Sequence, residues 1–113
     1  MAKAAKATYV VEWAETARDD WHEILDYIIL RDPLNALKLN DEIQVKANAL
    51  THLPQRGRIV PELKFHGVMI YRELLSGPWR LMYRVEGGTV VIVSVLDGRR
   101  QLANLLLARF LRS

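Results

Sequence analysis

The chain has 113 residues, of which 50% are hydrophobic and 26% charged, and its 16 lysines and arginines against 13 aspartates and glutamates give a net charge of +3. That length fits one domain, residues 1–113, with a single core that hides roughly two thirds of the unfolded chain's surface. The absence of cysteine excludes a disulfide framework, a thiolate nucleophile and Cys-based zinc or iron-sulfur sites. No apolar run approaches the ~20 residues that span a bilayer, and residues 1–7 carry lysines without a signal peptide's apolar stretch, so a flexible tail, no membrane and a cytoplasmic setting are expected.

Tyr9 to Trp13 is short, β-branched and aromatic, and reads as a strand. From Glu15 to Asp32 the residues Ala17, Trp21, Ile24, Leu25, Ile28 and Ile29 recur at three- and four-residue spacing, the pattern of an amphipathic helix, with Thr16 as its expected cap. Proline disfavours helix in the residue before it and suits the first turn of a new one, so Asp32-Pro33 ends that helix and opens a second. Ala36, Leu39, Ile43, Ala47, Leu50 and Leu53 continue the apolar stripe, which makes the first half a helical hairpin. Pro54 to Pro61, with two prolines and a glycine, reads as an irregular surface connection.

Val68 to Leu74 then reads as a strand, and Ser76-Gly77-Pro78 as a turn. Trp79 to Glu86 places Trp79, Leu81, Tyr83 and Val85 on one face and Arg80, Met82, Arg84 and Glu86 on the other. Gly87-Gly88 supplies the positive φ of a two-residue hairpin turn, and Thr89 to Leu96 returns. Counting outward from the turn sets Arg84 opposite Val91, Met82 opposite Val93 and Arg80 opposite Val95. The run Val90 to Val95 is apolar on both faces except at Ser94, as in a strand covered on both sides. Asp97-Gly98 breaks the strand, and from Arg99 onward the leucines predict a short terminal helix. The order β-α-α-β-β-β-α gives an α+β domain in which the helical hairpin packs on one face of a small antiparallel sheet.

Charge is divided unevenly. Residues 1–50 hold six lysines and arginines against nine aspartates and glutamates, a net −3, whereas residues 51–113 hold ten against four, a net +6. Nine of those ten are arginines, whose planar fork suits carboxylate or phosphate. An acidic or polyanionic partner is one reading of this; a solvated sheet face is the other. Arg80 and Arg84 share a strand face, Arg72 on the neighbouring strand is placed to join them, and Arg99 and Arg100 lie just past the last strand. For RNA cleavage such a cluster also needs a general acid and base, for which Glu73, Glu86, His66 and Tyr83 are the nearby residues. Leu105, Leu106 and Leu107 are consecutive and cannot all face one narrow stripe of a helix, so one of them is expected to meet a partner, with a broad buried face as the alternative. The three histidines, His22, His52 and His66, lie on different segments without metal-ligand spacing, and no Gly-rich phosphate loop is present; no metal and no cofactor are expected. The acidic face of the first helix, with Asp19, Asp20, Glu23 and Asp26, reads as solvated.

Taken in order, Tyr9-Val-Val-Glu-Trp-Ala, Leu53-Pro-Gln-Arg-Gly-Arg-Ile-Val-Pro-Glu-Leu63, Tyr71-Arg-Glu-Leu, Trp79-Arg-Leu-Met-Tyr-Arg-Val85 and Val95-Leu-Asp-Gly-Arg-Arg100 resemble the RelE/ParE superfamily of type II toxin-antitoxin toxins, which includes plasmid-stabilisation proteins. The resemblance runs from about Thr8 to Leu107 and implies a helical hairpin on a small sheet. It implies two activities. RelE-like members cleave messenger RNA on the ribosome, and there Arg80, Arg84, Arg100 and Glu73 are the catalytic candidates. ParE-like members bind and inhibit DNA gyrase. RelE-like members carry in many cases a tyrosine near the C-terminus, where this chain has Leu105 to Leu107, so the ParE branch is favoured and catalysis is not expected. A third reading is an inactive binding module of the same fold. All imply a cognate acidic antitoxin in a hetero-oligomer, with Arg72, Arg80, Arg84, Arg99, Arg100, Leu105, Leu106 and Phe110 as the residues expected to meet antitoxin or target.

Overall fold

The computed structural model describes residues 8–111, and the expected tail at residues 1–7 lies outside them. Strand β1 (Val10–Trp13) leads into α1 (Glu15–Ile29) and α2 (Pro33–Asn48), which ends in a 3-10 turn over Ala49–Thr51. Two short elements follow, β2 (Arg58–Ile59) and α3 (Pro61–Lys64). Strands β3 (Tyr71–Ser76), β4 (Trp79–Glu86) and β5 (Thr89–Asp97) form a meander that ends in α4 (Ala103–Phe110).

The two-helix reading holds, with different ends. The residue preceding α1 is Ala14, in extended conformation and without a side-chain cap bond, so Thr16 sits inside the first turn and does not cap it. α1 stops at Ile29, three residues short of the proline. Pro33 opens α2, and Asp32 accepts the Asn35 amide at 3.2 Å, satisfying one of the helix's free N–H groups.

The five strands lie in the order β1-β5-β4-β3-β2. β3, β4 and β5 are antiparallel, as tight turns require, but β1 pairs parallel to β5, Val10 with Thr89 through Trp13 with Ile92. The helical hairpin carries the chain across the sheet from the β1 edge to the opposite, β2 edge, and the meander then returns strand by strand to set β5 beside β1 in the same direction. The sheet is therefore mixed. β2 pairs with the other edge, on β3, so the segment read as irregular supplies both an edge strand and α3.

The register from Gly87-Gly88 holds for Glu86 with Thr89 and Arg84 with Val91, then shifts. Tyr83 pairs with Ile92 but Met82 pairs with Ser94 and Arg80 with Leu96, which makes Val93 the extra residue of a β-bulge. Because of it Val93 and Ser94 both turn toward α4: Val93 packs with Met82 and Leu106, and the Ser94 hydroxyl accepts from Arg109.

Both sheet faces are covered. On one, Ala17, Trp21, Ile43, Ala47 and Leu50 of the hairpin pack against Trp79, Leu81, Tyr83, Val90, Ile92 and Val95. On the other, Val60, Leu63, Leu102 and Leu106 pack against Met82, Val93 and Leu96. Each such aliphatic side chain taken out of water contributes about 1.5–3 kcal/mol. α3 and α4 thus form a third layer that a two-layer reading does not include.

Candidate functional site: a cleft at the hairpin-sheet junction

The arginines of the second half do not form one surface. Strand alternation puts Arg80 and Arg84 on the α3/α4 face, whereas Arg72 pairs with Tyr83 and faces the hairpin side. Arg72 donates to the carbonyls of Gly57, at 2.8 Å, and Gln55, at 3.4 Å, fastening the loop before β2. The Tyr83 hydroxyl accepts the Gly57 amide at 2.9 Å, and burial raises its pKa. A Cβ on Gly57 would stand 2.5 Å from the Glu73 carbonyl oxygen, so only glycine permits this approach.

Arg80 is buried and fully engaged. Its Nε donates to Glu73 at 2.8 Å, and its two terminal nitrogens donate to Glu62 at 2.7 Å each, the bidentate geometry that guanidinium favours. Glu73, only 1% exposed, accepts Arg58 Nε on its other oxygen at 2.6 Å. The Arg80 bond holds the Glu62 carboxyl below its ordinary pKa, and the two carboxylates raise that of Arg80. Four elements, β2, α3, β3 and β4, are tied by this network. Neither Arg80 nor Glu73 is open to a phosphodiester, contrary to the sequence reading. Glu62 closes off Arg80, and it lies just past Pro61, between the segment read as irregular and the next strand, where no element was expected.

Arg84 reaches Glu86 across the surface at 3.1 Å. In α4, Leu106 is fully buried in the core and Phe110 is half-buried, its ring 4.6 Å from that of Tyr71. These two therefore hold the helix and are not free contact residues; Leu105, 39% exposed, is the outward one. Arg109, which sequence reasoning passed over, donates to Asp20 at 2.9 Å and to Ser94 at 2.8 Å. Asp20 in turn accepts the Val95 amide at 3.1 Å, beyond the point where β1 stops covering β5. It is a clasp between α1, β5 and α4, not part of a solvated face. Partners 75 and 89 residues away leave no local trace in a sequence.

Arg99 and Arg100 belong elsewhere. The Gly98 amide donates to the Pro78 carbonyl at 2.7 Å, which stitches the end of β5 to the β3-β4 turn. A Cβ at Gly98 would sit 2.9 Å from Arg80 Cγ and 3.0 Å from that carbonyl. This contact sets Arg99 and Arg100 at the mouth of a cleft of about 590 Å³ between the helical hairpin and the sheet. Its apolar wall is Ile24, Tyr27, Ile28, Leu39, Pro78 and Trp79, and its polar rim is Glu23, Asn35, Asp97, Arg99 and Arg100.

Asp97 receives the Arg99 backbone amide at 2.9 Å and two guanidinium bonds at 3.0 and 2.9 Å, which hold its carboxyl below the ordinary range. The same guanidinium lies 5.4 Å from the centre of the Trp79 ring. Among the described residues, the Arg100 side chain has no ion-pair partner. Trp79 is 7% exposed, and its indole N–H is the one buried side-chain polar group among those residues that lacks a hydrogen bond. An unbonded buried donor costs about 1–3 kcal/mol. Its neighbour Trp21, edge-on at 6.0 Å, is satisfied by Asn40 at 2.9 Å. The sequence marked Trp79 only as a core-facing strand residue.

Known proteins share both the fold and the sequence pattern. A structure described as the chromosomal ParDE toxin-antitoxin system from P. aeruginosa matches with a TM-score of 0.66 at 22% identity, covering 80% of this chain and 97% of that one. The RelBE2 toxin-antitoxin complex from Mycobacterium tuberculosis matches with a TM-score of 0.56 at 22% identity, covering 84% and 97%. At that identity the likeness is one of fold. No curated protein sequence matches significantly. Residues 11–102 match the family described as the ParE toxin of type II toxin-antitoxin systems, parDE. That match takes in most of β1, the hairpin, the Arg80 network and both sides of the cleft, and the chain belongs to the ParE toxin family.

Proposed function

We propose that this type II toxin acts in the cytoplasm by binding and inhibiting DNA gyrase, and that a cognate acidic antitoxin neutralises it. The observation that carries this reading is the family match over residues 11–102, joined to the fate of Arg80 and Glu73. A ribonuclease needs a base for the 2′-hydroxyl proton, an acid for the leaving oxygen and cations on the phosphate. Of the residues offered for that work, Arg80 and Glu73 are committed to one another inside the fold, and the helix that follows carries Leu105 to Leu107 in place of a hydroxyl. Arg84, Arg99 and Arg100 stay at the surface, where they suit an acidic or polyanionic partner.

The test is supercoiling of relaxed plasmid by purified gyrase with increasing amounts of the protein. Inhibition near stoichiometry is the expected result, and unimpaired supercoiling at large excess removes the reading. RelE-like cleavage of translated messages is the competing activity; primer extension that shows new cuts only when the protein is present would establish it instead.

A further inference from the structure

We propose that Phe65, presented by the turn between α3 and β3, is the anchor by which the toxin docks on gyrase, its ring entering an apolar socket of the enzyme's protein surface whose rim is acidic. This deepens the gyrase reading above and rests on it.

Phe65 is held outward for a local reason. Gly67, at φ +82°, closes α3 with the paired bonds of a Schellman cap: the Val68 amide donates to the Leu63 carbonyl and the Gly67 amide to that of Lys64, each at 2.9 Å. Such a cap brings together the apolar residues that flank it, and here Leu63 and Val68 both pack into the core beneath α3. Phe65, between them in the chain, is left outside, 86% exposed, with the His66 ring edge-on at 5.3 Å. Met69 and Ile70, 48% and 64% exposed, follow it and line a hollow of about 210 Å³ with Arg72 and Arg84. A large aromatic side chain fixed in water by its backbone costs little further ordering when a partner covers it, which is the property of an interface anchor.

Charge and apolar area together choose the partner. Residues 54–72 carry Arg56, Arg58, Lys64 and Arg72 against Glu62 alone, and Glu62 is taken by Arg80, so a complementary rim is acidic. The arginines of β2, β3 and β4 are themselves engaged, Arg58 and Arg80 by Glu73, Arg84 by Glu86 and Arg72 by backbone carbonyls. That leaves Lys64, next to Phe65, without an ion-pair partner among the described residues. A nucleic-acid surface calls for several free cations on phosphates and leaves Met69 and Ile70 uncovered, whereas a protein socket covers them together with Phe65. The other exposed apolar cluster, at the bend of the hairpin with Leu30 84% and Leu34 79% exposed, has Asp26, Arg31, Asp32 and Lys38 around it in the chain, so charge selects no partner there.

The test measures, for the natural full chain and three variants, half-inhibition of gyrase supercoiling and capture by immobilised, DNA-free gyrase. Phe65→Ser should raise the concentration needed in both assays about tenfold to a hundredfold, whereas Phe65→Leu, which keeps apolar area, should raise it no more than about fivefold. Lys64→Glu should weaken both about twofold to tenfold, with the loss shrinking at high salt. Both positions stand outside the core, so thermal melts of the variants should match that of the natural chain. A natural chain that inhibits, beside a Phe65→Ser chain that inhibits within about twofold of it, overturns the anchor and leaves the gyrase reading standing. Capture only when gyrase carries DNA, with Phe65→Ser losing affinity for the free duplex to the same degree, moves the patch to nucleic acid and overturns the protein socket. A natural chain that neither inhibits nor is captured removes the gyrase reading and the anchor together.

Discussion

Arg80 and Arg99 both hold a carboxylate at hydrogen-bond distance, Glu62 at 2.7 Å and Asp97 at 2.9 Å, yet their side chains are 9% and 68% exposed. Distance does not separate a structural arginine from an available one; burial and the number of partners do. Arg80 is met by two carboxylates from different elements, and removing it strands Glu62 and leaves Glu73 with Arg58 alone. Arg99 shares one local carboxylate with water and an aromatic face, and can leave it at little cost. A sequence shows both as arginine in or beside a strand, and only the place where α3 sets Glu62 and β3 sets Glu73 tells them apart.

The largest effect expected from breaking that contrast is Arg80→Ala. It leaves Glu62 without its cation and the buried Glu73 with Arg58 alone, and the loss of a buried partner costs about 3–5 kcal/mol, measured as a lower urea midpoint with m unchanged. Next is Gly57→Ala. The new methyl meets the Glu73 carbonyl and the Tyr83 hydroxyl, and the displaced loop should cost about 1–3 kcal/mol in the same assay.

Acid sharpens the contrast further. The folded pKa of Glu62 lies below its ordinary value of 4.5, so the unfolded chain takes up the proton first. The stability this gives is present above about pH 4.5 and is lost as the pH falls from there through the depressed folded pKa. Thermal melts of Glu62→Gln should be lower than wild type near neutrality and converge with it in that window. Asp97 is depressed in the same direction, so Asp97→Asn is the companion profile. The smallest effect belongs to Arg84→Ala, whose partner Glu86 is 61% exposed; a change of at most about 0.5–1 kcal/mol is expected.

What the sequence made legible was local. Asp32-Pro33 marks the hairpin's bend, Gly87-Gly88 the β4-β5 turn, and the alternation of Trp79 to Glu86 gives that strand to the residue. What escaped depends on contacts between distant segments. Two residues pairing at Arg58–Ile59 have no periodicity to detect, and a four-residue helix that begins at Pro61 is too short for one. The parallel seat of β1 depends on where the hairpin returns, and the bulge at Val93 follows from fitting β5 to α4 as well as to β4. The site was legible in part. Arg99 and Arg100 were marked as a pair past the last strand and do share the cleft mouth, but Trp79 gives itself away only when every buried polar atom has been matched to a partner.

The central claim is that the buried arginine network builds the toxin while inhibition comes from its surface. A triple variant, Arg80→Met with Glu62→Leu and Glu73→Leu, replaces the buried members of the network by apolar packing, a change that buried ion clusters tolerate when they go together, and leaves the 58% exposed Arg58 side chain to water. Gyrase supercoiling titrated with this variant, once circular dichroism shows it folded, should be inhibited at the same stoichiometry as with the natural chain. A folded triple variant that leaves supercoiling untouched, beside a natural chain that blocks it, would contradict the claim and place Arg80 in the activity itself.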